Sequence, residues 1–343
     1  MLAPEAKYEF PCSLPLSECH IIGLLTLVVK QMAHWFGDNY SAWDDYRFSI
    51  AEMLTFAAVH NMPMVGSDIC GFNGNAQEKM CARWAMLGAF QPFYRNHADI
   101  SAPSQEFYRW QLVTSAAKKA IAARYMLLDY IYLSLRRAST DGSPIVSPLF
   151  FKFPNDTNTF DVQYQWFLGE ALLISPVTDD DSQSVTFYLP DDIFYDFWTF
   201  HPIRGNGSTV TLSNVSFTDI PVHIRGGTII PMRIDSAMTT TSVRTKNFKI
   251  VIAAGLDGKA KGDFYLDDGI SIDSPFTDVK MEWDGCTFSM KGVFEYQTDV
   301  VIDRVTLVTQ KGVTTMTGPW SLKSNLSFKI RQNQKRSVKL LSR

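Results

Sequence analysis

The chain predicts an α/β class over residues 21–138 and an all-β class beyond it. Three observations carry that reading. First, three short apolar segments each end in polar or titratable residues and lead toward a helical stretch. They are His34-Trp35-Phe36-Gly37-Asp38-Asn39, Met64-Val65-Gly66-Ser67-Asp68-Ile69-Cys70-Gly71-Phe72 and Gln91-Pro92-Phe93-Tyr94-Arg95-Asn96-His97. Strand-then-rim units in series are the sequence form of a (β/α) barrel, which keeps its reactive groups at the strand ends. Second, Ile121, Tyr125, Leu128, Tyr132 and Leu135 alternate steps of four and three, the spacing of one helix face. Third, beyond Asp141-Gly142 the apolar period falls to two, with Gly, Asn and Pro-Asp turns between the runs.

Composition narrows the function classes. A length of 343 residues holds two or three domains, and 46% hydrophobic with 20% charged residues is that of an ordinary globular chain. The net charge of −3, with both signs interspersed, leaves no electrostatic footprint for nucleic acid. The 24 Phe, 13 Tyr and 8 Trp suit bulky β cores first and sugar-stacking surfaces second. The longest apolar run, Ile21 to Val29, is far shorter than the ~20 residues of a membrane span. It also lacks the basic cluster and small-residue cleavage site of a signal peptide, and reads as a buried strand.

The five cysteines, Cys12, Cys19, Cys70, Cys81 and Cys286, include no C-x-x-C pair, and the six histidines are scattered. No metal site and no cofactor are therefore expected. Cys70 and Cys81 close a short loop and suit a disulfide worth about 3 kcal/mol on loop entropy. Sequons at Asn39, Asn155, Asn206, Asn214 and Asn325, taken with that pair, favour the secretory pathway. Asn39, beside Asp38, is expected to stay unmodified.

In chain order, residues 1–20 carry Pro4, Pro11 and Pro15 and read as irregular. Ile21 to Val29 and Gln31 to Phe36 are candidate strands. Trp43, Arg47, Ile50, Leu54 and Ala57 share a helix face, with Ser41 or Asn39 as the cap. Met62 to Gly66 is the next strand, and a helix with Met80, Trp84 and Leu87 on one face follows. Gly88 to Phe93 is a third strand, and one long helix covers Leu112 to Ala138, stopping at Asp141-Gly142. Antiparallel β structure then includes Val185 to Leu189 and Ile193 to Phe197. A second β block holds Phe248 to Ala253, Asp263 to Leu266, Cys286 to Phe294 and Val300 to Val308. Boundaries fall near 138 and 233. The divisions are 1–20 irregular, 21–138 a partial barrel of its last strands and helices, and two antiparallel β-sandwiches over 139–232 and 233–343.

Chemistry points to Asp38. It sits at a strand-to-helix turn, Trp35 and Phe36 flank it and are expected to desolvate it, and Asp68 and His97 end the next two strands. Burial among rings raises a carboxyl pKa, as a general acid requires.

Here the residues resemble a known family. The strings from His34, from Val65 and from Cys81 through His97 are similar to glycoside hydrolase family 31, the α-glucosidase and maltase family. So are Lys118 to Ala138, Pro144 to Asp156, His223 to Arg233 and Phe264 to Gly269, and the likeness runs over roughly residues 21–270. The resemblance implies a (β/α)8 barrel followed by two β-sandwiches. It implies a retaining enzyme that takes terminal α-linked glucose from maltose-like oligosaccharides and α-glucans. By position, Asp38 falls on the acid/base, and His97 on a histidine that binds sugar hydroxyls. Trp35 and Phe72 fall on the apolar walls of that subsite, and Asp68 on a polar orienter. Arg95 reads as an ion pair bracing the rim, and Asp267-Asp268 as a turn without function. The Cys pair is more similar to the secreted or lysosomal branch, which implies a secreted or vacuolar location.

Two departures qualify the likeness. The family draws its nucleophile from a W-x-D-M-N-E motif, and this sequence has none. Its sugar-binding arginine follows the Ile21-Ile22-Gly23 type of strand, where Leu24-Leu25-Thr26-Leu27 stands here. A full barrel takes about 250 residues, so the first barrel strands and the N-terminal β domain are expected to lie outside this sequence. The chain alone is then expected to lack activity, its partners being an oligosaccharide substrate and the missing barrel half. Residues 139–343 are expected to fold independently. A non-catalytic carbohydrate-binding protein of the same family is the alternative.

Overall fold

The computed structural model describes residues 33–330. The readings for residues 1–20, the Ile21–Val29 strand, Cys12 and Cys19 lie outside the described residues.

Strand β1 (Ala33–Trp35) pairs in parallel with β2 (Met64–Gly66), Trp35 against Gly66. Between them runs α1 (Trp43–Leu54), which buries Tyr46, Ile50, Met53 and Leu54 on the face its spacing gives. A π-helical turn over Thr55–Val59 extends it and buries Ala57. Neither expected cap is used: Ala42 is the N-cap, without a side-chain bond. Instead Asp45 reaches back to accept the Tyr40 amide at 3.0 Å, while Ser41 and Asn39 bond the neighbouring rim loop. Helix α2 (Glu78–Gly88) follows, with Met80, Trp84 and Leu87 buried together.

The third strand is much shorter than expected. Residues 89–92 form turns, and only a parallel bridge between Asp68 and Arg95 and the Phe93 amide bond to Val65 continue the sheet. The cause is local: α2 runs on to Gly88, and Pro92 has no amide proton to give a ladder. The expected long helix is two, α3 (Gln111–Met126) and α4 (Leu128–Thr140), joined at Leu127, whose backbone leaves helical geometry. Gly142 at φ +78° ends it, a backbone that glycine adopts at no steric cost.

The β half opens with β3 (Val146–Ser147), a short α5 (Leu149–Lys152), β4 (Trp166–Leu168) and β5 (Leu172–Ile174). Next come β6 (Val185–Leu189), β7 (Ile193–Asp196), β8 (Pro202–Arg204), β9 (Ser208–Leu212) and β10 (Val222–Arg225). Six strands form one sheet in the order β3-β4-β5-β10-β7-β8, and β6 and β9 form a separate two-stranded ribbon. Phe167, Leu173 and Phe194 face the ribbon's Phe187 and Leu189. Their neighbours Trp166, Leu168, Leu172, Ile174 and Tyr195 join a core with the helices. Burial on both faces is why these strands read as unbroken apolar runs.

A further eight strands form the last sheet: β11 (Thr228–Arg233), β12 (Phe248–Ala253), β13 (Ala260–Leu266), β14 (Thr277–Trp283), β15 (Thr287–Phe294), β16 (Val301–Thr309), β17 (Gly312–Ser321) and β18 (Leu326–Lys329). The switch between sheets falls at Gly226-Gly227, before β11, rather than near 233. The sheet is mixed, since β12 pairs β16 and β11 meets β13 in parallel. It is also one sheet in hydrogen-bonding order, β17-β16-β12-β11-β13-β14-β15-β18. Its two outermost strands meet: Trp320 of β17 stacks on Phe328 of β18, centroids 4.8 Å apart and planes within 9°. The sheet is rolled around Phe248, Phe264, Trp283 and Phe288.

The helices and sheets share their interior. One apolar cluster runs from Tyr46 through Trp166 and Ile224 to Met232 and Val308. Arg83 of α2 donates to the carbonyls of Ser182, Val215, Ser216 and Asp219. Arg233 of β11, fully buried, holds both oxygens of Asp129 on α4 at 2.6 and 2.7 Å. Independent folding of 139–343 is therefore not what the packing supports, because cutting at 138 would strip one face of the six-stranded sheet.

Candidate active site

The site is built where the parallel strands end. Trp35 closes β1, and its indole Nε1 donates to Asp68 Oδ2 at 2.9 Å. Asp68 is fully buried, and its other oxygen accepts Arg95 Nε at 2.6 Å. The guanidinium of Arg95 lies 5.4 Å over the Trp35 ring. A buried carboxylate held at both oxygens is electrically compensated, and it fixes the rings around it. Arg95 is thus the bracing ion pair that the sequence suggests.

The apolar wall continues from there. Phe72 meets Trp35 edge-on at 6.4 Å, and His97 lies 5.3 Å from Phe72. The structure therefore brings Trp35, Asp68, Phe72 and His97 into one contiguous group. Asp38 lies beside it on the turn after β1, where Asn39 N–H returns to Gly37 O at 3.0 Å. Its carboxylate is exposed. The expected desolvation by Trp35 and Phe36 is not present, because both rings have other partners. The Trp35 indole is bonded to Asp68, and Phe36 packs on Phe56 at 5.3 Å.

Asn39 is the residue that motif reading undervalued. Its Nδ2 donates to Asp68 O at 2.9 Å, and its Oδ1 accepts the Phe72 amide at 3.0 Å. Its own carbonyl accepts the amides of Phe72 and Asn73. One side chain thus ties the Asp38 turn to the loop that carries Asp68 and Phe72. The two loops press so closely that a Cβ at Gly71, φ +87°, would lie 2.3 Å from Ser41 N. Gln105, also missed, donates to Gly71 O at 2.7 Å and to Asn96 Oδ1 at 3.1 Å, joining the His97 loop to the same group. Local sequence signals Asn39 only as a cap and a sequon, because its partners lie about thirty positions away.

Behind this loop, Cys70 and Cys81 form the disulfide. Asn155, Asn206, Asn214 and Asn325 are exposed, whereas the Asn39 amide is committed to the rim. Asp268 holds the turn that follows it through the Ser271 hydroxyl and the Ile270 amide, which lower its carboxyl to about 2. Among the described residues no group of three or more His, Cys, Asp or Glu is placed to hold a metal ion. None of the described helices is long and apolar enough to cross a membrane.

Two short parallel strands that end beside an acid, an imidazole and two rings, backed by β sheets, fit the strand-end site of a (β/α) barrel. Residues 28–134 match the model of the glycosyl hydrolases family 31 TIM-barrel domain, and residues 142–230 that of the family 31 C-terminal domain. The chain belongs to glycoside hydrolase family 31. It is 51% identical over 288 residues to a probable alpha/beta-glucosidase of Neosartorya fischeri, covering 84% of this chain and 33% of that protein. It is 41% identical to an uncharacterized family 31 glucosidase of Schizosaccharomyces pombe, covering 81% of this chain and 28% of that one. Among solved structures, a glucosidase II alpha subunit superposes with a TM-score of 0.76 at 26% identity, over 86% of this chain and 36% of that chain. The family 31 alpha-xylosidase of Xanthomonas citri gives 0.74 at 23% identity, over 87% and 35%, which speaks for the fold alone. The chain thus spans about a third of the length of the relatives it matches.

Proposed function

We propose that the chain is the acid/base-bearing part of a retaining α-glucosidase that removes terminal α-linked glucose from maltose-like oligosaccharides and α-glucans. Asp38 protonates the glycosidic oxygen as the bond breaks, then takes the proton of the incoming water. His97 bonds the sugar hydroxyls, Trp35 and Phe72 wall the glucose, and Asp68 orients Trp35 through its indole bond. The observation that carries this is the assembly of Trp35, Asp68, Phe72 and His97 into one group beside Asp38, in a chain 51% identical to a probable alpha/beta-glucosidase.

Retention needs a second carboxylate about 5–5.5 Å from the first. With no W-x-D-M-N-E motif in 1–343, that nucleophile comes from a barrel segment outside this sequence, and the exposed Asp38 turn and β1 are where it docks. The buried disulfide supports a secretory or vacuolar setting, since such bonds persist where thiols are not kept reduced. A second reading, a carbohydrate-binding protein without hydrolysis, draws on the same missing motif.

Joined in frame behind the upstream part of the Neosartorya fischeri relative, the chain is expected to release nitrophenol from a nitrophenyl α-glucoside. The chain alone is expected not to. Asp38→Asn in the chimera should cut turnover by about 10²–10⁴-fold, the usual worth of a general acid/base. Hydrolysis by the chain alone, or a fully active Asp38→Asn chimera, would sink the assignment. A folded, inactive chimera that still binds maltose selects the second reading.

A further inference from the structure

We propose that the recess beside the outer ribbon is the seat of a covalent oligosaccharide carried by Asn155. The recess is about 490 Å³ and is lined by Phe153, Pro154, Asn155, Asp156, Tyr188 and Gly207 among others. Gly207 follows Asn206, so two exposed acceptor asparagines border one depression. Its chemistry suits a sugar, which offers hydroxyls at its edge and C–H groups on its face. Phe153 and Pro154 give apolar surface, and a fixed polar rim stands beside them. In that rim Tyr188 Oη donates to Asp156 Oδ2 at 2.6 Å, and Asn158 Nδ2 donates to Tyr188 Oη at 3.4 Å.

Asn155-Asp156-Thr157 is an acceptor triplet, and both Asn155 and Thr157 are exposed. Transfer forms a bond from Asn155 Nδ2 to C1 of the first sugar and breaks the C1–O bond to a lipid-diphosphate oligosaccharide donor. The amide proton and the lipid diphosphate leave. The inference rests on the secretory setting proposed above. Supplying the compartment in the experiment makes its failure distinguishable from the failure of that setting.

The chain is to be expressed behind a cleavable leader in a yeast host, and recovered from medium or lysate alike. Peptides released enzymatically in heavy-oxygen water report occupancy at each asparagine. Asn155 is expected to be occupied. Its oligosaccharide should leave the folded protein several-fold more slowly than the denatured one. Tyr188→Phe, which keeps the ring in the core, and Asp191→Ala on the same recess should each narrow that gap. An unmodified Asn155, or a gap that both variants leave unchanged, overturns the proposal. A second arm titrates free maltooligosaccharide into unglycosylated bacterial chain. Amide shifts confined to this recess would assign it to a free ligand instead and also overturn the proposal. No shift there agrees with the covalent source.

Discussion

His223 occupies the middle of β10, fully buried, with its ring 5.2 Å from Phe187 and neither nitrogen hydrogen-bonded. Burial drives its pKa down to about 4, with Asp196 pulling weakly the other way. The neutral form is the folded form, so the unfolded chain binds the extra proton. Stability is then full above the ordinary histidine value of 6.5 and falls as pH drops from there toward 4. The loss should approach roughly 3 kcal/mol. His223→Leu removes the titrating group, and urea midpoints between pH 4 and 7 should flatten by most of that amount. A variant with the parent's slope would show that other groups cause it. Asp68 and Arg233 are the opposite case in geometry, since each buried side chain has an oppositely charged partner at hydrogen-bond distance.

Elements repeat the lesson at larger size, beginning with the Cys70–Cys81 loop that fastens the rim to α2. Opening it frees an eleven-residue separation in the unfolded chain, worth about 3 kcal/mol. Cys70→Ser with Cys81→Ser should lower the melting temperature and leave the far-ultraviolet spectrum unchanged, as should reductant on the parent. Equal melting of the two proteins would mean that the bond constrains nothing. Much of the element order is legible in sequence because it is encoded locally. Ile50 and Leu54, or Phe187 and Leu189, announce their faces by spacing alone. The third strand is not legible locally, since Gly88–Phe93 is apolar enough for a strand but loses its ladder to the helix end and Pro92. The split at Leu127 is equally silent, because the apolar spacing continues straight across it. At the site, Asp38 and Asp68 are legible as residues that follow strands, and His97 as a rim residue whose expected strand is reduced to a bridge at Arg95. Asn39 and Gln105 are not, since their work is done on backbone atoms of distant loops.

For the whole molecule, the shared interior is the governing fact. Trp166, Leu172, Ile174 and Tyr195 belong to the same cluster as Ile50, Trp84 and Ala120. A truncated 139–343 chain would leave that face in water, at about 25 cal/mol for each Å² of apolar surface. It should melt without cooperativity in calorimetry and bind a hydrophobic dye, in contrast to the full chain. A sharp two-state melt of the fragment would show that the sheets stand alone.

The stack of Trp320 on Phe328 has a bearing on how this protein meets other copies of itself. A flat eight-stranded sheet would end in two open ladders, each a template on which another chain could add a strand. Rolling brings β17 and β18 together at the Trp320–Phe328 stack, and the pair of rings acts as a clasp on the roll. A roll closed by a clasp leaves a neighbouring molecule less flat edge on which to add a strand than an open sheet would.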